Sequence, residues 1–149
     1  MNKIERTITI HRPVEEVFAY VSEVEHGPRY IAGQREAHKT SSGPVGVGST
    51  FATVGKFPSR AAAFEITEYE LNRRLAWTAT SGARATTTWG FQPFGPSTRV
   101  TFTRVADPHG PFSFAESLLQ ELANGRVDRD LGELKELLAV ARKPAVKGW

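Results

Sequence analysis

The stretch FAESLLQELANGRVDRDLGELKELLAVA, residues 114–141, decides how the rest of the chain must fold. Leu118, Leu119, Leu122 and Ala123 recur at helical spacing, and Val127, Leu131, Leu134 and Leu138 form a second apolar stripe. At 100° per residue the two stripes centre roughly 120° apart around one helix. A single stripe would suit one flat partner. A rotated stripe suits a helix lying across a curved sheet and meeting different strands along its length. Gly125 stands near the change of face. A glycine inside a helix costs roughly 1 kcal/mol against alanine, so Gly125 is expected where the helix closely approaches the sheet or a ligand. Pro144 closes the helix.

What precedes this helix reads as two short helices and many strands. Ile4, Ile8 and Ile10 alternate with polar residues, the mark of a half-buried strand. Pro13 fits the first position of a helix, with Glu15 and Glu16 in its first turn. Val14, Val17, Phe18 and Val21 give that helix one apolar face. Ser22 and Glu25 have capping-box spacing for a second helix, which Gly27 and Pro28 keep short and which Tyr30 and Ile31 end.

A polar strand from Gln34 to Thr40 suits a sheet edge, where Arg35 and Lys39 discourage edge-to-edge pairing. The glycines at 43, 46 and 48 open a strand, Ser49 to Lys56, and no Lys-Ser/Thr pair follows, so they predict a turn and not a phosphate cradle. Strands Arg60–Glu70, Arg74–Ser81, Arg84–Gln92 and Thr98–Val105 follow. The turns joining them are short, which makes neighbours antiparallel.

The two faces of this sheet differ sharply. One parity carries Thr7, Thr9, Thr78, Thr80, Thr86, Thr88, Thr101 and Thr103, suited to a pleated surface facing water. The other carries Phe64, Ile66, Leu75, Trp77, Trp89, Phe91, Val100 and Phe102, and needs a cover. The C-terminal helix is the only long cover available. Small residues on the same parity, Ala62, Ala79, Ala85 and Thr87, with Thr53 if its strand keeps phase, leave volume beneath the helix. Either the helix sinks in to fill it or a cavity remains.

Composition narrows the possible functions. At 149 residues the chain suits one domain with a substantial core. With no cysteine, disulfide and thiolate chemistry are excluded and a cytoplasmic protein is expected. No stretch could span a bilayer, so no membrane insertion is expected. The net charge of +3 is scattered and forms no basic stripe interleaved with aromatics, which argues against nucleic acid as a partner.

Several phrases, in this order and spacing, resemble the START/SRPBCC helix-grip superfamily in its polyketide cyclase/dehydrase-like branch. They are Ile10-His-Arg-Pro-Val-Glu-Glu-Val-Phe18, Val21-Ser-Glu-Val-Glu-His-Gly-Pro28, Gly46-Val-Gly-Ser-Thr-Phe51, Ile66-Thr-Glu, Leu75-Ala-Trp77, and Thr88-Trp-Gly-Phe91 leading into Thr98-Arg-Val-Thr101. The resemblance covers nearly the whole chain. It implies an α+β fold: a seven-stranded antiparallel sheet wrapped around the terminal helix, with two short helices closing one end. It also implies a cavity between sheet and helix for hydrophobic or amphipathic small molecules. Many members of that family have Trp where Tyr30 stands, so this lip of the pocket is expected to be more polar. No universal catalytic set carries over.

The candidate ligand-binding residues are Tyr30, Phe64, Trp77, Trp89, Phe91, Phe102 and Arg104, with Leu118, Leu122 and Gly125 from the helix. Trp77 and Trp89 either pack a core or wall a pocket, and each indole N–H needs an acceptor when buried. Tyr30 and Tyr69 are candidates for hydroxyls at the rim, although Tyr69 falls on the outer parity unless its strand is bulged. Arg6 and Arg104 share the core-face parity. Either they snorkel to solvent or they form a cationic patch able to hold a carboxylate or phenolate.

His11, His26, His38 and His109 lack metal-ligand spacing, so no metal and no cofactor are expected. Three functions stay open. The first is a carrier of a small hydrophobic ligand. The second is a cyclase- or dehydrase-type enzyme. The third is an interaction module using the outer surface. An ionisable pocket group with a perturbed pKa would favour the enzyme, and a filled cavity the interaction module. Catalytic residues, ligand identity and oligomeric state are left open.

Overall fold

The computed structural model describes residues 2–56, 59, 61–81, 85–106 and 124–139. The first apolar stripe, with Leu118, Leu119, Leu122 and Ala123, lies outside the described residues, as do Gly82, His109 and Trp149. In chain order the elements are β1 (Asn2–Ile10), α1 (Val14–Ser22), a 3-10 turn (Val24–His26), α2 (Gly27–Tyr30), β2 (Gln34–Lys39) and β3 (Thr50–Gly55). Then come β4 (Ala61–Glu70), β5 (Arg74–Ala79), β6 (Ala85–Phe94) and β7 (Ser97–Ala106). Helix α3 covers 124–139. The strands form one seven-stranded sheet in the order β1-β7-β6-β5-β4-β3-β2, every neighbour antiparallel. This is the helix-grip α+β fold.

Hairpin connections explain the run from β2 to β7. The chain inserts α1 and α2 between β1 and β2, which leaves those two strands at opposite edges. Register then sets the inner face in rows. Ile66, Trp77, Thr87, Arg104 and Ile4 lie across successive strands, and so do Tyr69, Leu75, Trp89, Phe102 and Arg6. On the outer face the threonines stay at least partly exposed. Two hydroxyl pairs, Thr7–Thr101 at 3.4 Å and Thr78–Thr86 at 3.2 Å, bridge neighbouring strands there.

The second stripe of α3 covers the inner face. Val127, Leu131, Leu134 and Leu138 are all buried and share one core with Ile4, Ile66, Leu75, Trp89, Val100 and Phe102. At roughly 1.5–3 kcal/mol per buried side chain, these four contribute on the order of 6–12 kcal/mol before entropy is counted. Helix α1 covers the neighbouring patch through Val14, Val17, Phe18 and Val21. Phe18 meets Phe91 and Tyr69 edge-on, with ring centroids 5.1 and 5.3 Å apart.

Some local expectations fail, each for a physical reason. Pro13 is the N-cap of α1 in extended conformation, and the helix begins at Val14. Ser22 and Glu25 form no capping box. Ser22 closes α1 with its hydroxyl donating to the Ala19 carbonyl, and the Glu25 carboxylate accepts the Lys39 N–H of β2. Tyr69 is not on the outer face, because a bulge between Ile66 and Glu68 turns it inward beside Phe18. β6 runs to Phe94, two residues past its expected end at Gln92, and the hairpin closes on Gly95 at φ 62°. Gly125 is exposed, and a Cβ built there would meet nothing within 4 Å among the described residues, so no close approach among them calls for the glycine.

Two substitutions test this packing. Leu134→Ala, at a fully buried position, should lose about 2–5 kcal/mol in urea unfolding. Gly125→Ala should instead gain about 0.4–1 kcal/mol, because open space receives the methyl and the unfolded chain loses freedom.

Candidate functional site

Where α3 crosses the middle of the sheet, a cavity of about 30 Å³ remains. Trp77, Thr87, Trp89, Phe102 and Arg104 form its sheet side, and Val127, Asp130 and Leu131 its helix side, with Ile31 closing the edge. The register explains this grouping. Arg104 lies opposite Thr87 across β6–β7, and Thr87 lies opposite Trp77 across β5–β6, while Trp89 sits opposite Phe102 one row away. Thr87 is small enough to leave the gap. Since one water-sized group needs roughly 10–15 Å³, a space of this size holds about two.

Polar groups converge on this small space. Trp89 is only 2% exposed, and its Nε1–H finds no acceptor among the described residues. Of the buried side-chain polar atoms in that condition, it alone lines the cavity, since Arg12 Nε and Gln34 Oε1 do not. The Arg104 guanidinium lies 5.5 Å from the centroid of the Phe102 ring. Burial lowers its pKa, and the field of Asp130 opposes that. Burial raises the Asp130 carboxyl above the usual carboxylate range. A hydrogen bond from the Ala32 N–H, 3.1 Å long, and the nearby charges of Arg129, Arg104 and Arg126 act against the rise. Among the described residues Arg104 and Asp130 form no ion pair, so each acts on the other through its field.

The expected site residues divide into three groups. Trp77, Trp89, Phe102 and Arg104 line the cavity. Tyr30, Phe64 and Phe91 do not, and all three pack beside it. Tyr30 is buried with its ring edge-on to Trp89 at 6.5 Å, so it is an inner wall and no polar lip. Burial also pushes its phenol pKa up. Phe64 stacks on Phe51 at 5.1 Å, and Phe91 lies parallel to Trp89 at 6.5 Å. Gly125 faces away, and Leu118 and Leu122 lie outside the described residues.

The two inner-face arginines do not converge. Arg6 leaves the cavity and donates from Nε to Asp128 at 2.7 Å on the exposed flank of α3. Asp130 is the residue that sequence reasoning missed. Its signal was its place three residues after Val127 and one before Leu131, on the buried side of the stripe.

Among the described residues, two other hollows lie outside the helix–sheet interface. A groove of about 210 Å³ is lined by Ala32, Gly33, Lys56, Arg126, Arg129 and Asp130. An open groove of about 700 Å³ runs along the β4–β5 turn and the ends of β6 and β7. Two of its three guanidiniums already have company: Arg74 donates to Glu68 at 2.7 Å, and Arg99 lies over the Phe94 ring at 4.4 Å.

A sheet gripping a helix around a walled cavity with a few polar groups defines a START-like helix-grip protein. The chain belongs to the family described as polyketide cyclase/dehydrase and lipid transport, which matches residues 1–139. Among solved structures, a protein from Thermus thermophilus is 21% identical, with 93% of this chain and 98% of that one covered and a TM-score of 0.78. The Zhui aromatase/cyclase from Streptomyces sp. R1128 is 12% identical over 92% of this chain and 93% of its own, with a TM-score of 0.73. A START superfamily protein from Mycobacterium smegmatis is 13% identical over 92% and 99%, with a TM-score of 0.67. At these identities the likeness is one of fold. No curated protein matches the sequence.

The raised Asp130 carboxyl has a consequence for stability. The folded chain holds this proton more tightly than the unfolded chain does. Stability contributed by Asp130 is therefore present below its unfolded pKa and is lost as pH rises through the folded one. Asp130→Asn keeps an acceptor for the Ala32 N–H without the charge. It should raise the melting temperature at neutral pH, and the gain should shrink on acidification, as a pH series of thermal melts can check.

Proposed function

We propose that the chain binds a small apolar or amphipathic molecule, aromatic, polyketide-like or lipid-like in class, between the sheet and α3. The observation that carries this is the buried Trp89 Nε1–H on the cavity wall, without an acceptor among the described residues. A buried donor left without an acceptor costs about 1–3 kcal/mol, and a residue serving only to pack could be phenylalanine. A carbonyl or hydroxyl oxygen on a ligand supplies the acceptor, while Trp77 and Phe102 supply flat apolar walls. Membership of a cyclase and lipid-transport family supports the same class of ligand. The cavity at about 30 Å³ takes one polar group of such a molecule. The remainder is admitted by movement at the helix–sheet seam.

A second reading, catalysis, is favoured by Asp130. A carboxyl raised by burial, facing the same cavity as Arg104, can hold a proton for transfer in a cyclisation or dehydration. In that case Asp130→Asn abolishes turnover of a bound polyketide-like ketone and leaves its affinity within a few-fold of the original. A purely carrying protein shows no turnover to lose.

The test of binding compares 9-fluorenone with fluorene, one flat skeleton with and without a carbonyl. Both should quench tryptophan fluorescence saturably, the ketone more tightly. Trp89→Phe keeps most of the volume and removes the N–H. It should reduce the preference for the ketone by roughly threefold to tenfold, the worth of one hydrogen bond. Saturable quenching by neither compound, in a chain shown to be folded, moves the function to protein interaction through the outer surface.

A further inference from the structure

Two hollows share one wall. Asp130 lines both the inner cavity and the 210 Å³ groove outside it. The loop after α2 does the same in sections, with Ile31 facing inward and Ala32 and Gly33 facing the groove. What parts them is thin: the Ile31 side chain and the hydrogen bond from the Ala32 N–H to Asp130. Further along, α3 is fixed by the buried Leu131, Leu134 and Leu138, so opening there would strip leucines from the core. Between α3 and this loop, opening breaks, among the described residues, the Asp130–Ala32 hydrogen bond and the Ile31 packing.

The outer groove is cationic. Lys56, Arg126 and Arg129 are exposed on its rim, and among the described residues none of the three side chains has an ion pair or hydrogen bond. Arg126 stands four residues before Asp130, a spacing that ordinarily pairs on a helix, yet no pair forms among the described residues. The Lys56 N–H donates to Gly33 at 3.1 Å, which fixes the end of β3 to the same loop. Solvated surface cations are common. These three are set apart by ringing the seam that leads to a buried donor without an acceptor among the described residues.

We propose that the ligand enters between α3 and the Ile31–Gly33 loop and carries an anionic group, which stays at the mouth on Lys56, Arg126 and Arg129 while its apolar body reaches Trp89. This rests on the cavity-binding reading and narrows it to amphipathic anions. The charge remains where water and three cations share it, so no ion has to be desolvated in the core. The body replaces the Asp130–Ala32 contact as the seam parts.

Two probes with the same ring systems separate this inference from the reading beneath it: 8-anilinonaphthalene-1-sulfonate, which is anionic, and neutral N-phenyl-1-naphthylamine. The sulfonate should bind the unmodified chain at least tenfold more tightly than the neutral amine in low salt. The ratio of the two affinities should collapse toward unity in the double variant Arg126→Glu/Arg129→Glu, and shrink in about 0.5 M salt. An unchanged ratio in the double variant overturns the anionic group while leaving the cavity reading intact.

Asp130→Ala, which removes the bond to Ala32, should speed association of the neutral amine severalfold in stopped flow. An unchanged rate overturns the entry route. Binding of neither probe to a folded chain overturns the cavity reading, and this inference falls with it.

Discussion

Burial of one helix face against one sheet face holds this molecule together. Val127, Leu131, Leu134 and Leu138 give up water only because the aromatic face of β5, β6 and β7 receives them. That face in turn exposes Trp89, Leu75 and Phe102 to water unless α3 lies on it. The gross gain, on the order of 6–12 kcal/mol, is comparable to the whole net stability of an ordinary domain. Neither partner is expected to keep its shape without the other.

The same seam explains where polar chemistry collects. A helix crossing a curved sheet cannot touch every strand equally, and the gap falls where Thr87 is small. Arg104 and Asp130 enter that gap from opposite sides, and burial shifts each toward its neutral form. Trp89 adds a donor that the described core leaves unused. A core built for stability alone has no use for these groups, and such departures from good packing are expected where a protein meets its ligand.

Much of this was legible in the sequence. The strict alternation from Phe64 to Phe102 set the faces of the sheet, and the stripe at Val127, Leu131, Leu134 and Leu138 set the buried side of α3. Trp77, Trp89, Phe102 and Arg104 were placed on the inner face by parity, because a residue's face follows from counting by two. Tyr69 was misplaced since a single bulge at Thr67 shifts every later side chain of β4 to the other face, and bulges leave no reliable mark in sequence. Gly125 suggested by its spacing a contact that is not made among the described residues. Asp130 escaped notice as one charge among the many on α3. Only the fold shows that it is half-buried, accepting from the Ala32 N–H and lining the cavity with Arg104.

The central claim is that the Trp89 Nε1–H serves a ligand oxygen inside the helix–sheet seam. The chain has three tryptophans, so a proton–nitrogen correlation spectrum holds three indole signals, and Trp89→Phe assigns one of them. On titration with 9-fluorenone the assigned indole proton should move downfield saturably, as a new hydrogen bond requires, and fluorene should produce no such shift. Saturable binding of the ketone with the Trp89 indole signal unmoved would contradict the claim.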